Sequence, residues 1–153
     1  MLAFEVWHPG VAETFHALER RRVDNVRLVS VDAVWSFAHL MAPDSLAELW
    51  TFFPDPWPKK RHHKRRLVNP EFAHLAATRL APGSTWRLAT DWDDYAGQMR
   101  DVLDGEPLLS GGVTPRWDER PVTRFERKGL AAGREITDLA YTRVDAGLSP
   151  RGS

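Results

Sequence analysis

Cysteine is absent from the sequence, and so are a membrane-length apolar run and a net charge. Without cysteine there can be no disulfide framework and no metal site built on thiolates. A membrane-spanning helix needs about 20 mostly apolar residues, so no transmembrane segment is predicted. The opening MLAFEVWHPG lacks the basic and apolar regions of a signal peptide. We therefore expect a cytoplasmic globular protein with one domain over residues 1–145 and a disordered tail over residues 146–153.

The zero net charge conceals one concentration of positive charge. The 21 basic and 21 acidic residues balance, but residues 59–66 read KKRHHKRR, with no acid among them. Clustered cations create a local positive field that suits a nucleic-acid backbone. A solvated face or a localisation signal would give the same pattern, and the residues alone leave these alternatives open. His62 and His63 are adjacent and have no cysteine nearby, which makes a poor metal site, so no bound metal is predicted.

Apolar periodicity alternates between strand-like and helix-like segments along the chain. Strands are predicted to end near Val6 and to cover residues 26–31, 46–53 and 85–90, with amphipathic helices between them. Asn69 followed by a proline predicts the start of one helix, which we expect Pro82 and Gly83 to end. This alternation predicts an α/β fold with a largely parallel sheet.

The C-terminal third of the chain is not predicted to continue the alternation of strands and helices. Gly111 and Gly112 predict a loop. The runs VTRFERKG (122–129) and REITDLAYTRV (134–144) then predict a terminal antiparallel hairpin, joined by the turn-prone AAG. We expect four tryptophans to lie in the core rather than to act as stacking platforms: Trp7, Trp35, Trp50 and Trp86.

The most unusual segments follow predicted strands, where parallel α/β sheets bind their ligands. In PDPWP the prolines at 54, 56 and 58 restrict the backbone and would hold Asp55 rigidly at a strand end. A stiff surface turn is the alternative. In the TDWDD turn, Asp91, Asp93 and Asp94 could equally be first-turn helix acids. The TRFE segment at 123–126 looks in isolation like an exposed part of the hairpin.

Three of these segments together carry a family resemblance. FPDPWPKKRHHKRRLVNPEF, LATDWDDYA and TRFERKG closely resemble the bacterial tRNA (guanine-N7)-methyltransferases, and FEVWHPGV resembles the second conserved strand and helix of that family. The similarity extends from residue 4 to about residue 144. It implies a Rossmann-like, S-adenosylmethionine-dependent methyltransferase sheet and methyl transfer to N7 of a guanine in tRNA.

The resemblance also implies roles for individual positions. Glu5 and Asp32 would hold the ribose and the adenine side of S-adenosylmethionine, and Asp55 would serve both the cofactor and catalysis. The implied guanine or tRNA contacts are Lys59, Asp91, Thr123, Arg124, Phe125 and Glu126. The implied RNA-binding stretch consists of Arg61, His62, His63, Lys64, Arg65 and Arg66.

One part of the family pattern lies upstream of FEVWHPGV. It comprises the family's first strand and an acidic-glycine loop that cradles the methionine part of the cofactor. The resemblance therefore implies an N-terminally truncated chain, with residues 1–145 forming a partial methyltransferase domain, and we expect this chain alone to bind the cofactor weakly or not at all. The alternative function is a non-catalytic RNA-binding remnant of the fold. A small-molecule methyltransferase is disfavoured by the basic run.

Overall fold

The computed structural model describes residues 1–145, so the predicted disordered tail lies outside the described residues. The chain divides into two compact units, residues 1–41 and the residues from Ala42 onward. None of the helices within residues 1–145 combines the length and the apolar character that crossing a membrane would require.

The first unit is a βαβα segment. Its elements are β1 (Leu2–Phe4), α1 (His8–Arg21), β2 (Arg27–Val29) and α2 (Ala33–His39). The strands β1 and β2 are parallel, with Phe4 opposite Val29. The ring of Phe4 packs edge-on against Phe37 of α2 at a centroid distance of 5.8 Å. The predicted strands and helices are thus confirmed here, although both strands are short.

The second unit contains a four-stranded mixed sheet. Its elements are β3 (Leu46–Phe52), a 3₁₀ helix over Lys60–Arg65 that we call the basic helix, α3 (Pro70–Arg79), β4 (Leu80–Thr90), α4 (Asp93–Asp104), β5 (Leu109–Thr114), α5 (Arg124–Ala131) and β6 (Thr137–Arg143). The strand order is β3-β4-β6-β5. In this sheet β3 and β4 are parallel, and the other two pairings are antiparallel. The α/β class is confirmed, but this sheet is not largely parallel.

The core of the second unit lies between the sheet and helices α3 and α4. Trp86 on β4 is fully buried, donates from Nε1 to Thr51 Oγ1 at 2.9 Å and meets the Phe72 ring edge-on. Of the four tryptophans predicted for the core, only Trp86 is buried. Trp7, Trp35 and Trp50 are each about half exposed, so that prediction was wrong for them.

The start of β4 differs from the prediction. Helix α3 begins as predicted, with the Asn69 side chain accepting from Phe72 N at 2.9 Å, but it ends at Arg79 and β4 follows at once. Pro82 and Gly83 therefore lie within β4 instead of ending the helix. The register between β3 and β4 is irregular at this point, and a bulge is where a strand accepts a proline, because no ladder hydrogen bond is required of it.

The C-terminal antiparallel pair is present, but its first strand is not the predicted one. VTRFERKG forms the end of a loop and α5, because Thr123 caps the helix by accepting from Glu126 N at 3.0 Å. Strand β6 pairs with β4 on one side and with β5 on the other. Strand β5 contains Gly111 and Gly112, so these glycines lie in a strand and not in a loop. Packing explains why residue 111 is a glycine, because an added Cβ would overlap the carbonyl oxygen of Ala140.

This close approach leads to a stability prediction with a built-in control. Gly111→Ala should lower the free energy of unfolding by about 1–3 kcal/mol, because the new methyl group must push β5 away from β6. Gly112→Ala is the matched control, since a Cβ there meets nothing within 4 Å. Urea denaturation followed by circular dichroism measures both. Equal stabilities for the two variants would contradict the close-packing explanation.

Candidate functional site

In the first unit, two carboxylates follow the ends of the parallel strands. Glu5 comes directly after β1, and its Oε1 accepts from Trp7 N at 2.8 Å. Asp32 follows β2, and its Oδ1 accepts from Trp35 N at 2.9 Å, which caps α2. Each carboxylate therefore satisfies a backbone donor at a helix start. The second oxygen of each can still accept a hydrogen bond from a ligand.

In the second unit, the loop after β3 has an unusual backbone. Phe53 and Trp57 have φ values of 52° and 43°, in the left-handed region that bulky residues rarely adopt. Each residue in this region raises the free energy of the folded state by about 1–3 kcal/mol, so neighbouring contacts must hold the loop in place. Asp55 lies between them, is exposed, and accepts from Trp57 N at 3.3 Å. The loop thus presents one carboxylate on a constrained backbone.

Arg66 is one of the residues that hold this loop. Its side chain is buried; Nε donates to Pro56 O at 2.8 Å, and Nη2 donates to both Asp94 oxygens at 2.9 Å. Nη1 donates to Gln98 Oε1 at 2.8 Å, and the guanidinium lies over the Tyr95 ring. Burial raises the pKa of Tyr95 to about 12. Arg66 therefore ties the loop to α4 and does not lie on the surface with the other predicted RNA-binding residues.

The basic helix presents the remaining cations of the run. Arg65 lies with its guanidinium 4.9 Å from the centre of the Trp57 ring, which connects the basic helix to the strained loop. The exposed cations are Lys59, Lys60, Arg61, Lys64 and Arg65. These exposed cations next to the Asp55 loop create a local positive surface beside one carboxylate.

The two adjacent histidines have different partners. His62 accepts from Arg61 Nε at 3.1 Å and meets the Trp57 ring edge-on. His63 Nε2 lies 3.5 Å from Asp94 Oδ2, an ion-pair distance when the imidazole is protonated. His62 thus contacts a cation, whereas His63 lies beside a carboxylate to which its buried Nε2 makes no hydrogen bond.

A buried ion cluster lies at the start of α5. Arg120, with no exposed side-chain surface, donates to Glu126 at 2.8 and 3.2 Å and to Asp138 at 2.9 and 3.1 Å. Arg116 Nε adds a bond to Glu126 at 3.1 Å. Burial acts to raise the pKa of Glu126, but the hydrogen bonds from Arg116 and Arg120 outweigh it and lower that pKa. For Asp138 burial prevails, and its pKa is raised despite Arg120.

The same arginine also contacts the beginning of the Asp55 loop. The Arg120 guanidinium lies 5.7 Å from the centre of the Phe52 ring and 5.5 Å from that of Phe53. Phe53 is one of the two left-handed residues, so Arg120 supports the strained backbone at its start. Arg120 thereby connects the loop, α5 and β6.

The turn between β4 and α4 contacts both α5 and the end of the basic helix. Asp91 Oδ2 accepts from Arg134 at 2.8 Å and packs against Gly129 of α5, where an added Cβ would lie only 2.7 Å from Asp91 Oδ2. Three residues later, Asp94 accepts from Arg66 at the end of the basic helix. One short turn therefore positions α5 through Asp91 and the basic helix through Asp94.

The sheet register explains why the predicted residues of this unit meet. Strands β3 and β4 end together, with Phe52 opposite Ala89, and β6 begins there, with Thr137 opposite Thr90. This edge gathers the Asp55 loop, the 91–94 turn and the start of α5. Sequence reasoning missed four residues that organise it: Arg116, Arg120, Arg134 and Asp138. No local motif marks them, and only the TxxE pattern at Thr123 could have indicated the helix they support.

Comparisons with known proteins agree with this architecture. Residues 1–139 match the family model described as "Putative methyltransferase". A tRNA (guanine-N(7)-)-methyltransferase of Nocardioides sp. is 68% identical over 146 residues, which are 95% of this chain and 59% of the relative. One of the same name from Cutibacterium acnes is 55% identical over 94% of this chain and 54% of the relative. The chain thus spans somewhat more than half the length of these curated relatives.

Solved structures support the fold at much lower sequence identity. An rRNA methylase from Streptococcus thermophilus has a TM-score of 0.61 at 11% identity, covering 94% of this chain and 73% of that one. A putative rRNA-methylase from Clostridium thermocellum has a TM-score of 0.61 at 10% identity, covering 95% and 73%. With the family model matching residues 1–139 and the fold agreeing, the chain belongs to this methyltransferase family.

Proposed function

We propose that the protein transfers a methyl group from S-adenosylmethionine to N7 of a guanine in tRNA. The observation that carries this proposal is the placement of exposed Asp55 beside the exposed cations of the basic helix. Arg66 ties these two features together through Pro56 O. A carboxylate on a constrained loop next to a phosphate-binding surface suits chemistry on a nucleic-acid base. Relatives that share most of this chain carry the corresponding enzyme name.

The carboxylates of the first unit fit the adenosine part of this cofactor. Ribose hydroxyls and the adenine amino group are donors, and Glu5 and Asp32 each keep an acceptor oxygen beyond the backbone bond described above. The ends of neighbouring parallel strands are the usual place for such contacts. We assign Glu5 to the ribose and Asp32 to the adenine side. When bound, S-adenosylmethionine supplies a methyl group on a positively charged sulfur.

The reaction requires alignment of guanine N7 with the methyl group and stabilisation of charge, and it does not require a general base. Guanine N7 has a lone pair in the ring plane, so it can attack a methyl group without losing a proton, and orientation is the main requirement. Positive charge develops on the guanine as the N7–methyl bond forms, while the sulfur–methyl bond breaks and its electron pair stays on the sulfur, which becomes a neutral thioether. We assign Asp55 to stabilising that charge and to orienting the base. Because the loop is constrained at Phe53 and Trp57, its carboxylate needs little reorganisation.

Two further carboxylates of the second unit are assigned to recognition of the guanine. Glu126 accepts three hydrogen bonds from Arg116 and Arg120, and a carboxylate can accept about four. Asp91 uses Oδ2 for Arg134, which leaves Oδ1 as an acceptor. Both can accept from the N1–H and the exocyclic amine of guanine. Their arginine partners hold them oriented for this purpose.

The basic helix is assigned to the tRNA backbone. Its exposed cations would contact phosphates and recognise RNA shape more than base sequence. We assign this role to Lys59, Arg61, Lys64 and Arg65, with His62 and His63 beside them and Arg66 acting from inside as their support. Since tRNA is the proposed substrate, we place the protein in the cytoplasm.

A methyl-transfer assay tests the proposal directly. The chain is joined at its N-terminus to the first strand and acidic-glycine loop of a relative and incubated with unmodified tRNA and labelled S-adenosylmethionine, and the digested nucleosides are analysed by mass spectrometry. We expect label in N7-methylguanosine from this joined protein, and little or none from the chain alone. Calorimetric titration with the cofactor distinguishes the alternative function, since an RNA-binding remnant would bind tRNA without binding the cofactor or transferring its methyl group. That outcome would overturn the proposed reaction.

A further inference from the structure

Helix α5 has a cationic outer face, and the family resemblance assigns only one of its cations, Arg124, to the substrate. Glu126 and Gly129 are buried on its inner face, while Arg124, Arg127 and Lys128 are exposed. Positions three and four apart on a helix lie side by side, about 5–6 Å apart at Cβ. Glu126 is the one acidic residue of the helix, and it is buried against arginines. The outer face of α5 therefore carries three cations and no exposed carboxylate of its own.

Two independent contacts hold this face in a fixed orientation. On the inner side, Glu126 is bound by the buried Arg120. One turn later, Gly129 packs against Asp91 so closely that a Cβ could not be accommodated without movement. A surface held this way can bind a ligand without losing much backbone entropy. The side chain of Arg127 reaches solvent while it donates to Val122 O at 3.3 Å.

The same turn that orients α5 also orients the basic helix. Asp91 contacts Gly129 and Arg134, whereas Asp94 binds Arg66 at the end of the basic helix. The Asp55 loop is connected to both helices: Arg120, which binds α5, contacts Phe53, and Arg66, at the end of the basic helix, donates to Pro56 O. Two exposed cationic helices are thus attached to the two ends of one loop.

From this arrangement we infer that the outer face of α5 is a second contact surface for the phosphate backbone of the RNA, in addition to the basic helix. The inference rests on the proposed function, because it takes the RNA to be the substrate. A polyanion is the partner that such a face fits, since exposed cations at helical spacing attract consecutive phosphates. Phe125 lies beside them and is 54% exposed, and the Arg124 guanidinium lies 5.5 Å from the centre of its ring.

The experiment measures tRNA affinity at several salt concentrations for the Arg127→Gln, Lys128→Gln double variant. Each phosphate that the protein no longer neutralises should flatten the slope of log K against log salt by about 0.7–0.9, so we expect a change of about 1.4–1.8 together with weaker binding. The matched control is Arg20→Gln, Arg21→Gln. These two exposed cations in the last turn of α1 carry the same charge and lie in the other unit, so the slope should stay at the wild-type value.

The possible outcomes separate this inference from the proposed function. If the wild-type protein binds tRNA with a salt-dependent affinity, and the α5 variant has the same slope as the α1 control, the inference is overturned and the proposed function stands. A loss of affinity without a change in slope also overturns it, because phosphate contacts must release counterions. If the wild-type protein itself has no salt-dependent affinity for tRNA, both fail together.

Discussion

Arg120→Met is expected to destabilise the protein by about 3–5 kcal/mol, the usual cost of leaving buried charges without their partner. The substitution keeps most of the side-chain volume but removes the donors to Glu126 and Asp138, which are both buried. It also removes the cation beside the Phe53 ring. Urea denaturation of the variant and of the wild type, with extrapolation to water, measures the difference.

Two companion variants show whether unpaired charge is the cause. Arg116→Met also removes a partner of Glu126, but the Arg116 side chain is 36% exposed, so this variant should lose much less stability than Arg120→Met. Adding Glu126→Gln and Asp138→Asn to Arg120→Met removes the stranded charges, and this triple variant should be more stable than Arg120→Met alone. An Arg120→Met protein as stable as the wild type would show that the cluster contributes nothing net.

In the protein joined to the first strand and acidic-glycine loop of a relative, Asp55→Asn is expected to reduce the rate of methyl transfer by about 100- to 1,000-fold, the scale of losing one preorganised electrostatic partner. The amide has nearly the same shape but no charge to stabilise the developing cation on the guanine. Binding of tRNA should change little, because the exposed cations of the basic helix are untouched. Single-turnover methyl transfer together with a tRNA binding titration separates the two effects.

Asp93→Asn provides the control for that result. Asp93 is exposed in the first turn of α4, and its substitution removes the same charge from the same edge of the sheet, so this variant should react at nearly the wild-type rate. The pH dependence supplies a second criterion. Since no proton leaves N7, the rate should show no step that depends on Asp55. A step that disappears in Asp55→Asn would instead identify Asp55 as a general base.

Local patterns were sufficient to predict most of the fold. Apolar periodicity predicted the strands and α-helices up to Asp104 except for the start of β4, and it was strongest for α3, β4 and α4, which bury one stripe or face of their own sequence. The prediction failed where contacts between residues distant in sequence determine whether a segment forms a helix, a strand or a loop. VTRFERKG alternates like a strand, yet the Thr123 cap and the burial of Glu126 against Arg120 make it a helix. The glycines of β5 resemble a loop because nothing nearby in sequence reveals that Ala140 lies against Gly111.

The candidate site was predictable in its surface residues but not in its supports. Asp55 and the exposed cations belong to contiguous motifs, so their proximity follows from the sequence alone. Arg66 belongs to the same run, but its binding partner Asp94 is 28 residues away. Arg120 is likewise 18 residues from Asp138. A run of cations does not show which member is buried, because that depends on carboxylates that approach only in the folded chain.

The turn that joins β4 to α4 sets a limit on how the chain can change in length. Asp91 precedes α4 and packs against Gly129 of α5, whereas Asp94 belongs to the first turn of α4 and binds Arg66 at the end of the basic helix. Inserting or deleting one residue between them would change the spacing of these two carboxylates, which a turn of three residues now fixes. Either the basic helix or α5 would then lose its anchor. Length variation among related proteins should therefore avoid this turn.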